Sequence, residues 1–446
     1  MVKRKTKQNK KITVNTDEWF RLDNAATLYS LISSPKNTCM FRLEAGLTTI
    51  INVTVLQKSL ETIISRFPYY RVNLQPGFFW HFWNSNPEVP HVEADTPAPC
   101  EEMAITKNNT FPFRVRAHGN RIAVEFHHSI SDGYGALVFL KTLLSQYFQL
   151  KGIKGPLWQN VLKPGELPDP AEYEDAYKKH CRHFVPSPPK DPQVFSLPFK
   201  TDFSIPDIRT TGTISLKQLL PKVKKLNISL TDFLAALLLE TFQDIVYTIP
   251  FAKRKNKMKP LRILVPVNLR NIYSSKTMRN FTLYVNPQID PRLGKYSFND
   301  ILKNVFHYMK SSVNPKNISM QIKRNVRAEL HPLLRATPLL LKKILLRVVS
   351  LFMYAQTNNA VLSNLGRVEF PAAVSEHVTD VQFILPPGRG VKICLTLTSF
   401  QDTLYLNFLR GHREPEIEKR FFRKLASLGI RVTILDSQKG YTHGHL

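Results

Sequence analysis

The chain has 446 residues, 43% of them hydrophobic and 11% aromatic, with 62 Lys and Arg against 34 Asp and Glu. That composition supports a folded core of two or three domains and excludes a disordered chain. The net charge of +28 points to anionic partners, but without zinc-finger spacing or RNA-binding aromatic motifs it disfavours nucleic acid.

Residues 1–13 carry Lys3, Arg4, Lys5, Lys7, Lys10 and Lys11 and read as a solvated basic tail. No apolar stretch follows it, so it does not read as a secretory signal. No run reaches the roughly 18 apolar residues that cross a bilayer. A helix is expected to begin around Asp17, and a strand in TCMFRLEA. The spacing of Leu56, Leu60, Ile63, Ile64 and Phe67 predicts a helix that Pro68 ends. A strand pair follows in RVNLQPGFFWHFW, and FPFRVRAHGNRIAVEFHHS reads as a β-hairpin turning at HGN. Beyond Asp132, Leu137, Leu140, Leu144 and Phe148 mark the buried stripe of a helix.

Residues 151–200 are rich in proline and charge and read as a surface connector. The boundary placed there divides the chain into the tail 1–13, a first half 14–185 and a second half 186–446. In the second half Ser229 or Thr231 caps an apolar helix in LTDFLAALLLETF. Strands are expected in LRILVPVNLR, NFTLYVNPQID and NNAVLSNLG. VKICLTLTSFQDTLYLNFLRG reads as paired strands ahead of a last helix near 415–427. The stretch LHPLLRATPLLLKKILLRVVSLFMY, 330–354, is apolar but interrupted by Lys342, Lys343 and Arg347. It reads as an amphipathic helix of the core, with a membrane-surface helix as the other setting. Strands and helices alternate in both halves, so the class is α/β or α+β with two domains. Cys39, Cys100, Cys181 and Cys394 are far apart, which suits reduced thiols in a cytoplasmic protein better than a zinc site or a disulfide framework.

The chemistry concentrates in VEFHHSISDGYG. If RIAVEFHHS is a strand, Ile122, Val124, Phe126 and His128 share one face, and Ala123, Glu125 and His127 share the other. The first face is apolar, so His128 points inward. Two adjacent strand positions diverge, so this pair does not ligate one metal, and no metal is expected. A histidine with an unperturbed pKa of about 6.5 is largely neutral at pH 7 and can serve as a general base. Asp132 and Gly133 form the turn into the following helix.

HHSISDG fits the HHxxxDG signature of the CoA-dependent acyltransferase superfamily, which includes chloramphenicol acetyltransferase and the condensation domains. EWFRLDNAATLYS, SRFPYYRVNL, FWHFW, VPVNLR, RNFTLYVNPQIDPRLG and VLSNLGRVEFP follow the order typical of bacterial alcohol acetyltransferases. From about Trp19 onward the chain resembles that branch. The resemblance implies two chloramphenicol-acetyltransferase-like domains with mixed β-sheets and a channel between them. It makes His128 the base, His127 its motif neighbour and Asp132 a structural carboxylate paired with an arginine of the second half. Arg270 is the candidate for that arginine. The backbone N–H near Gly133 is a candidate oxyanion donor. Asn280 either lines the channel or caps a turn. Ser363 and Asn364 either form a polar turn or cross to the other domain and contact substrate. The DFGWG motif of the plant branch is absent.

The activity so implied is transfer of an acyl group from a CoA thioester to an alcohol or amine. Acyl-CoA is then a co-substrate and no cofactor is held permanently. An acidic acyl carrier protein is the alternative donor, and a non-catalytic binding protein on the same fold is the alternative of a different class. The cationic surface makes a peripheral anionic membrane a further candidate partner, one that could bring a hydroxylated lipid as acceptor.

Overall fold

The computed structural model describes residues 19–182, 184–189, 191–345, 357–388 and 390–435. The basic tail and the helix start expected around Asp17 lie outside these residues. The first described helix is α1 (Asn24–Ile32), capped by Asp23, whose carboxylate accepts from Ala26 N. The first half continues with β1 (Phe20–Arg21), β2 (Met40–Leu47), α2 (Val53–Ile64), β3 (Val72–Pro76), β4 (His81–Ser85), β5 (Val92–Ala94), β6 (Phe113–His118), β7 (Arg121–His127) and α3 (Gly133–Leu150). The second half contributes β8 (Ile208–Ser215), β9 (Leu261–Asn268), β10 (Thr282–Val285), β11 (Gln288–Ile289), β12 (Ala360–Val368), β13 (Val378–Ile384), β14 (Ile393–Phe400), β15 (Thr403–Arg410) and β16 (Thr433–Leu435). The class is α/β with mixed sheets.

One sheet runs β13-β2-β7-β6-β5, and a second runs β10-β9-β12-β14-β15-β8-β16 with β11 against β9. A small antiparallel sheet, β1-β4-β3, stands apart. On the first sheet, pleat alternation puts Phe41, Val124 and Phe126 on the face covered by α2 and α3, where they join Phe67, Tyr70 and Phe139 in one aromatic core. Leu140, Leu144 and Phe148 are buried as the stripe predicts. Leu137 is only half-buried, because it lines a cavity described below. On the second sheet, the helix Leu230–Thr248 is apolar on nearly every side, since the sheet and the helices Phe298–Ser312 and Glu416–Ser427 surround it. Ser229 caps it in a reciprocal box with Asp232. No single helix among the described residues is long and apolar enough to cross a bilayer.

β13 lies across the division at residue 185. It belongs in sequence to the second half but pairs antiparallel with β2 of the first. The chain leaves the second sheet after β12, adds β13 to the first, and returns as β14 beside β12. Threonine and asparagine side chains of the second sheet reach β13 directly, through Thr398 Oγ1 to Val381 O (2.9 Å) and Asn407 Nδ2 to Phe383 O (3.3 Å).

The stretch from residue 330 departs from its expected place in the core. The described part forms a short helix, Pro332–Ala336, and a helical segment over 339–345. Leu333, Leu340, Leu341, Ile344 and Leu345 are exposed there. Residues 346–354 lie outside the described residues.

The face of the first sheet opposite α2 and α3 carries buried charge. Arg42 is fully buried and binds Glu44 (2.8 Å), Asp95 (2.5 Å) and Glu125 (3.1 Å). Arg209 of β8 reaches Glu44 at 2.8 Å, and Arg121 joins Glu44 to Asp380 of β13. Burial alone would raise the Glu44 carboxyl, but Arg209, Arg42 and Arg121 hold it far below the ordinary carboxylate range. Arg42→Ala leaves these carboxylates without their shared cation and should cost about 3–5 kcal/mol, read as a lower urea midpoint. Because the folded-state pKa of Glu44 is depressed, its stabilisation is present above the unfolded value of about 4.3 and is lost as pH falls. The deficit of the variant should therefore shrink toward acid. A deficit that grows toward acid contradicts this network.

Candidate active site

The two histidines leave β7 in opposite directions, as the alternation predicts. His127 is fully buried on the charged face. Its Nδ1 accepts from Ser129 N (3.1 Å) and meets Ser129 Oγ (2.7 Å), while Nε2 meets Ser33 Oγ at 3.1 Å. The backbone donor makes Nδ1 the acceptor, so Nε2 carries the proton. Burial lowers its pKa to about 3. Both nitrogens are occupied, which leaves His127 no lone pair for a substrate.

His128 is held differently. Its N–H donates to Cys39 O (2.7 Å), and its carbonyl accepts from Asn280 Nδ2 (2.8 Å). The ring stacks on Tyr29, with centroids 4.9 Å apart and planes 20° apart, and leans on Phe41 at 4.5 Å. Nδ1 is buried without a hydrogen-bond partner among the described residues, yet the residue keeps partial exposure. The ring also meets the Ser131 backbone and the Asn280 side chain. Burial lowers the ring's pKa to about 4, against the pull of Asp132 and the Ser131 backbone. The imidazole is neutral at pH 7, and a neutral imidazole keeps one basic lone pair. The neighbouring Cys39 is a poor rival nucleophile, since burial pushes its thiol up to about 12.

Asp132 fixes the loop that carries this ring. Oδ1 caps α3 through Gly135 N at 3.4 Å. Oδ2 accepts from Arg270 Nη1 (2.8 Å), Phe281 N (2.9 Å) and Thr282 Oγ1 (3.0 Å). Burial would raise this carboxyl, but Arg270 and these donors hold it below the ordinary value. Arg270 spends all five of its N–H groups: its others go to Asn268 Oδ1, twice to Thr277 O, and to Arg279 O. Its guanidinium also lies 4.5 Å over the Tyr134 ring. The structure thus brings Asp132 and Arg270 together across 138 residues of chain.

The other expected residues divide. Asn280 is buried, and its side chain donates to the His128 carbonyl and also meets the His128 ring, so it positions the histidine. Gly133 opens the first turn of α3, where its N–H has no intrahelical acceptor. Ser363 and Asn364 lie within β12 just before a register shift, and Gly366 takes φ +85°. Asn364 bonds Thr231 Oγ1 (3.0 Å) and Gly366 N (2.8 Å), both in the second half. It is Leu365 between them that reaches the first half, where it touches Gly133.

Several residues were not singled out in the sequence. Tyr29 and Phe41 clamp the ring, and Asp23 sits behind Asn280 with its pKa raised to about 6 by burial. Tyr70 OH and Ser131 Oγ both donate to Met278 O, at 2.9 and 2.7 Å. Gly135 leaves room for them, since a Cβ there would collide with Ser131 Oγ, Tyr70 OH and Met278 O. The second glycine of DGYG was the available signal.

A cavity of about 530 Å³ opens beside the first turns of α3. Tyr134, Leu137, Val138, Trp158 and Met278 give it an apolar wall, and Lys141 and Lys163 are its cations. His128 is not among its lining residues, but Tyr134 and Met278 connect it to the histidine loop. A second cavity, about 380 Å³, lies at Lys200, Asp202, Phe203 and Arg413 and holds none of the expected residues. Among the described residues no group of three or more His, Cys, Asp or Glu could hold a metal ion.

No family model and no curated protein sequence matches the chain. Solved structures do. The first condensation domain of the calcium-dependent antibiotic synthetase, in complex with a substrate analogue, superposes with TM-score 0.63 at 12% identity, over 95% of this chain and all of that one. The starter condensation domain of rhizomide synthetase, in complex with C8-CoA and Leu-SNAC, gives 0.59 at 12% over 92% and 94%. Polyketide synthase associated protein 5 from Mycobacterium tuberculosis gives 0.54 at 13% over 91% and 96%. The chain has the condensation-domain fold.

Asp132→Ala removes the only carboxylate that faces Arg270 at salt-bridge distance among the described residues. It should cost about 3–5 kcal/mol, lower the melting temperature and reduce activity together. Unchanged melting with lost activity would assign Asp132 a direct chemical role.

Proposed function

We propose that the protein is an acyltransferase that moves an acyl group from a CoA thioester to an alcohol or amine, with His128 Nε2 as general base. The observation that carries this reading is the state of His128: neutral, clamped between two aromatic rings and fixed at both backbone ends, in a residue that keeps partial exposure. The fold supports it, since solved neighbours are condensation domains, one of them in complex with an acyl-CoA.

The reaction balances on this one group. Nε2 takes the proton of the acceptor O–H or N–H as the heteroatom bonds to the thioester carbonyl carbon. The carbonyl oxygen becomes an oxyanion, for which the Gly133 N–H is the donor we assign. The C–S bond then breaks and the imidazolium returns its proton to the leaving thiolate. Burial shapes both steps. It weakens the base in the first but makes the imidazolium a strong acid for the second. General-base action contributes about 10²–10⁴ in rate, and positioning of the two substrates supplies the remainder. The alcohol acetyltransferase branch of the sequence resemblance favours an alcohol as acceptor. A carrier-protein thioester is the second reading of the donor, favoured by the +28 charge and by neighbours that are domains of synthetases.

Thiol release and product mass from a panel of acyl-CoAs and alcohols test the proposal. His128→Ala should lose about 10²–10⁴ of the rate while remaining folded. His127→Ala leaves the Ser33 and Ser129 hydroxyls without their ring partner and should cost stability, about 1–3 kcal/mol, more than turnover. Intact-protein mass spectra after incubation with acyl-CoA should show no adduct. An active His128→Ala, or an acylated cysteine on the reaction path, contradicts the mechanism.

A further inference from the structure

The β3–β4 hairpin turns through Gly77, Phe78, Phe79 and Trp80, closed by Gly77 N to Trp80 O at 2.9 Å. A hairpin tip in water ordinarily carries polar turn residues. Here Phe78 is 74% exposed and Phe79 42%. The tip is fastened to the 339–345 segment by Leu339 N to Phe78 O (2.9 Å) and Lys342 Nζ to Phe79 O (2.7 Å). The Lys342 ammonium also sits 3.2 Å from the centre of the Trp80 ring. Leu339 and Lys342 therefore face the hairpin. Leu340, Leu341, Ile344 and Leu345 fall on the opposite arc of the helix and are 75%, 58%, 62% and 49% exposed. Two elements distant in sequence are thus fastened together, and each carries several exposed apolar side chains, beyond the scattered single leucines usual on soluble proteins.

Charge selects the occupant. Residues 315–345 hold seven Lys or Arg and one acidic residue, Glu329, which is already paired with Lys178 at 2.7 Å. Exposed Arg327 and Arg335 stand beside the exposed Leu330 and Leu333. A second copy of a chain with net charge +28 is repelled by the same field that attracts an anionic surface. We infer that this surface seats the protein on an anionic phospholipid bilayer. Phe78, Phe79 and the 339–345 face enter the headgroup boundary, and the flanking arginines meet lipid phosphates. The inference does not depend on the acyl-transfer reading.

Flotation of the full chain with vesicles tests it, using phosphatidylcholine alone and phosphatidylcholine with phosphatidylglycerol. The protein should float with the anionic vesicles at low salt and be released as salt rises. Phe78→Ser and Ile344→Ser should each weaken flotation roughly tenfold or more, since each removes one large apolar side chain from the contact. Melting temperature and turnover of soluble substrates should stay unchanged, because neither residue belongs to the candidate active site. Three results overturn the inference: no flotation at low salt, equal flotation of wild type and variants, or a concentration-dependent dimer that the same substitutions dissolve. The last would make the surface a contact between copies.

Discussion

The carboxylate of Asp132 is bound by donors from both halves of the chain, and three of the four come from residues 270–282. The same short stretch holds the rest of the loop. Asn280 takes the His128 carbonyl, and Met278 O takes Ser131 and Tyr70. The segment 128–132 is therefore fixed by partners beyond its own turn. It is held from both sides of the junction: the first half clamps the His128 ring through Tyr29 and Phe41 and caps α3 through Asp132, and the second half binds the Asp132 carboxylate, the His128 carbonyl and the Ser131 hydroxyl. If His128 is the proposed base, its placement depends on the packing of both halves.

Buried ions are a costly way to join two halves, since each loses its hydration and mutual attraction offsets that loss only when every donor is matched. Arg270 meets the condition with five hydrogen bonds to four acceptors, and Arg42 with three carboxylates. What such networks provide is registry. Arg42, Arg209 and Arg121 fix β2, β8 and β13 relative to one another, and a slip of one residue in β13 would turn Asp380 and Gln382 away from their partners. The two faces of the first sheet thus divide the work: α2 and α3 bury the apolar face, and charge aligns the other.

Much of this was legible in the sequence. Period and breakers placed α2, α3, both hairpins of the first half, β9, β12, the β14–β15 pair and the last helix. Pleat alternation assigned the two histidines to opposite faces. β8 was not seen, because IRTTGTIS offers threonines and a glycine in place of an apolar run. That glycine is required, for the Phe422 ring lies 2.6 Å from where a Cβ of Gly212 would stand. β13 was not seen because its partner, β2, lies more than three hundred residues earlier, a pairing that nothing local specifies. The Asp132–Arg270 pair came from resemblance and not from spacing. Tyr29 and Phe41 act on His128 by packing, which leaves no motif, and Asn280 was named as a channel residue or a turn cap but holds the histidine instead.

The proposed chemistry rests on His128, whose burial sets its protonation. Burial disfavours the imidazolium, so the free base should persist well below the ordinary histidine range. The most direct measurement is the pH dependence of kcat/KM for acyl transfer, which reports the free enzyme's base, made alongside Asp23→Asn because the Asp23 carboxyl titrates near 6. The account predicts a rate that holds through neutrality and falls only as the pH approaches about 4. An acid limb at the unperturbed imidazole value of about 6.5, unmoved by Asp23→Asn, would contradict it.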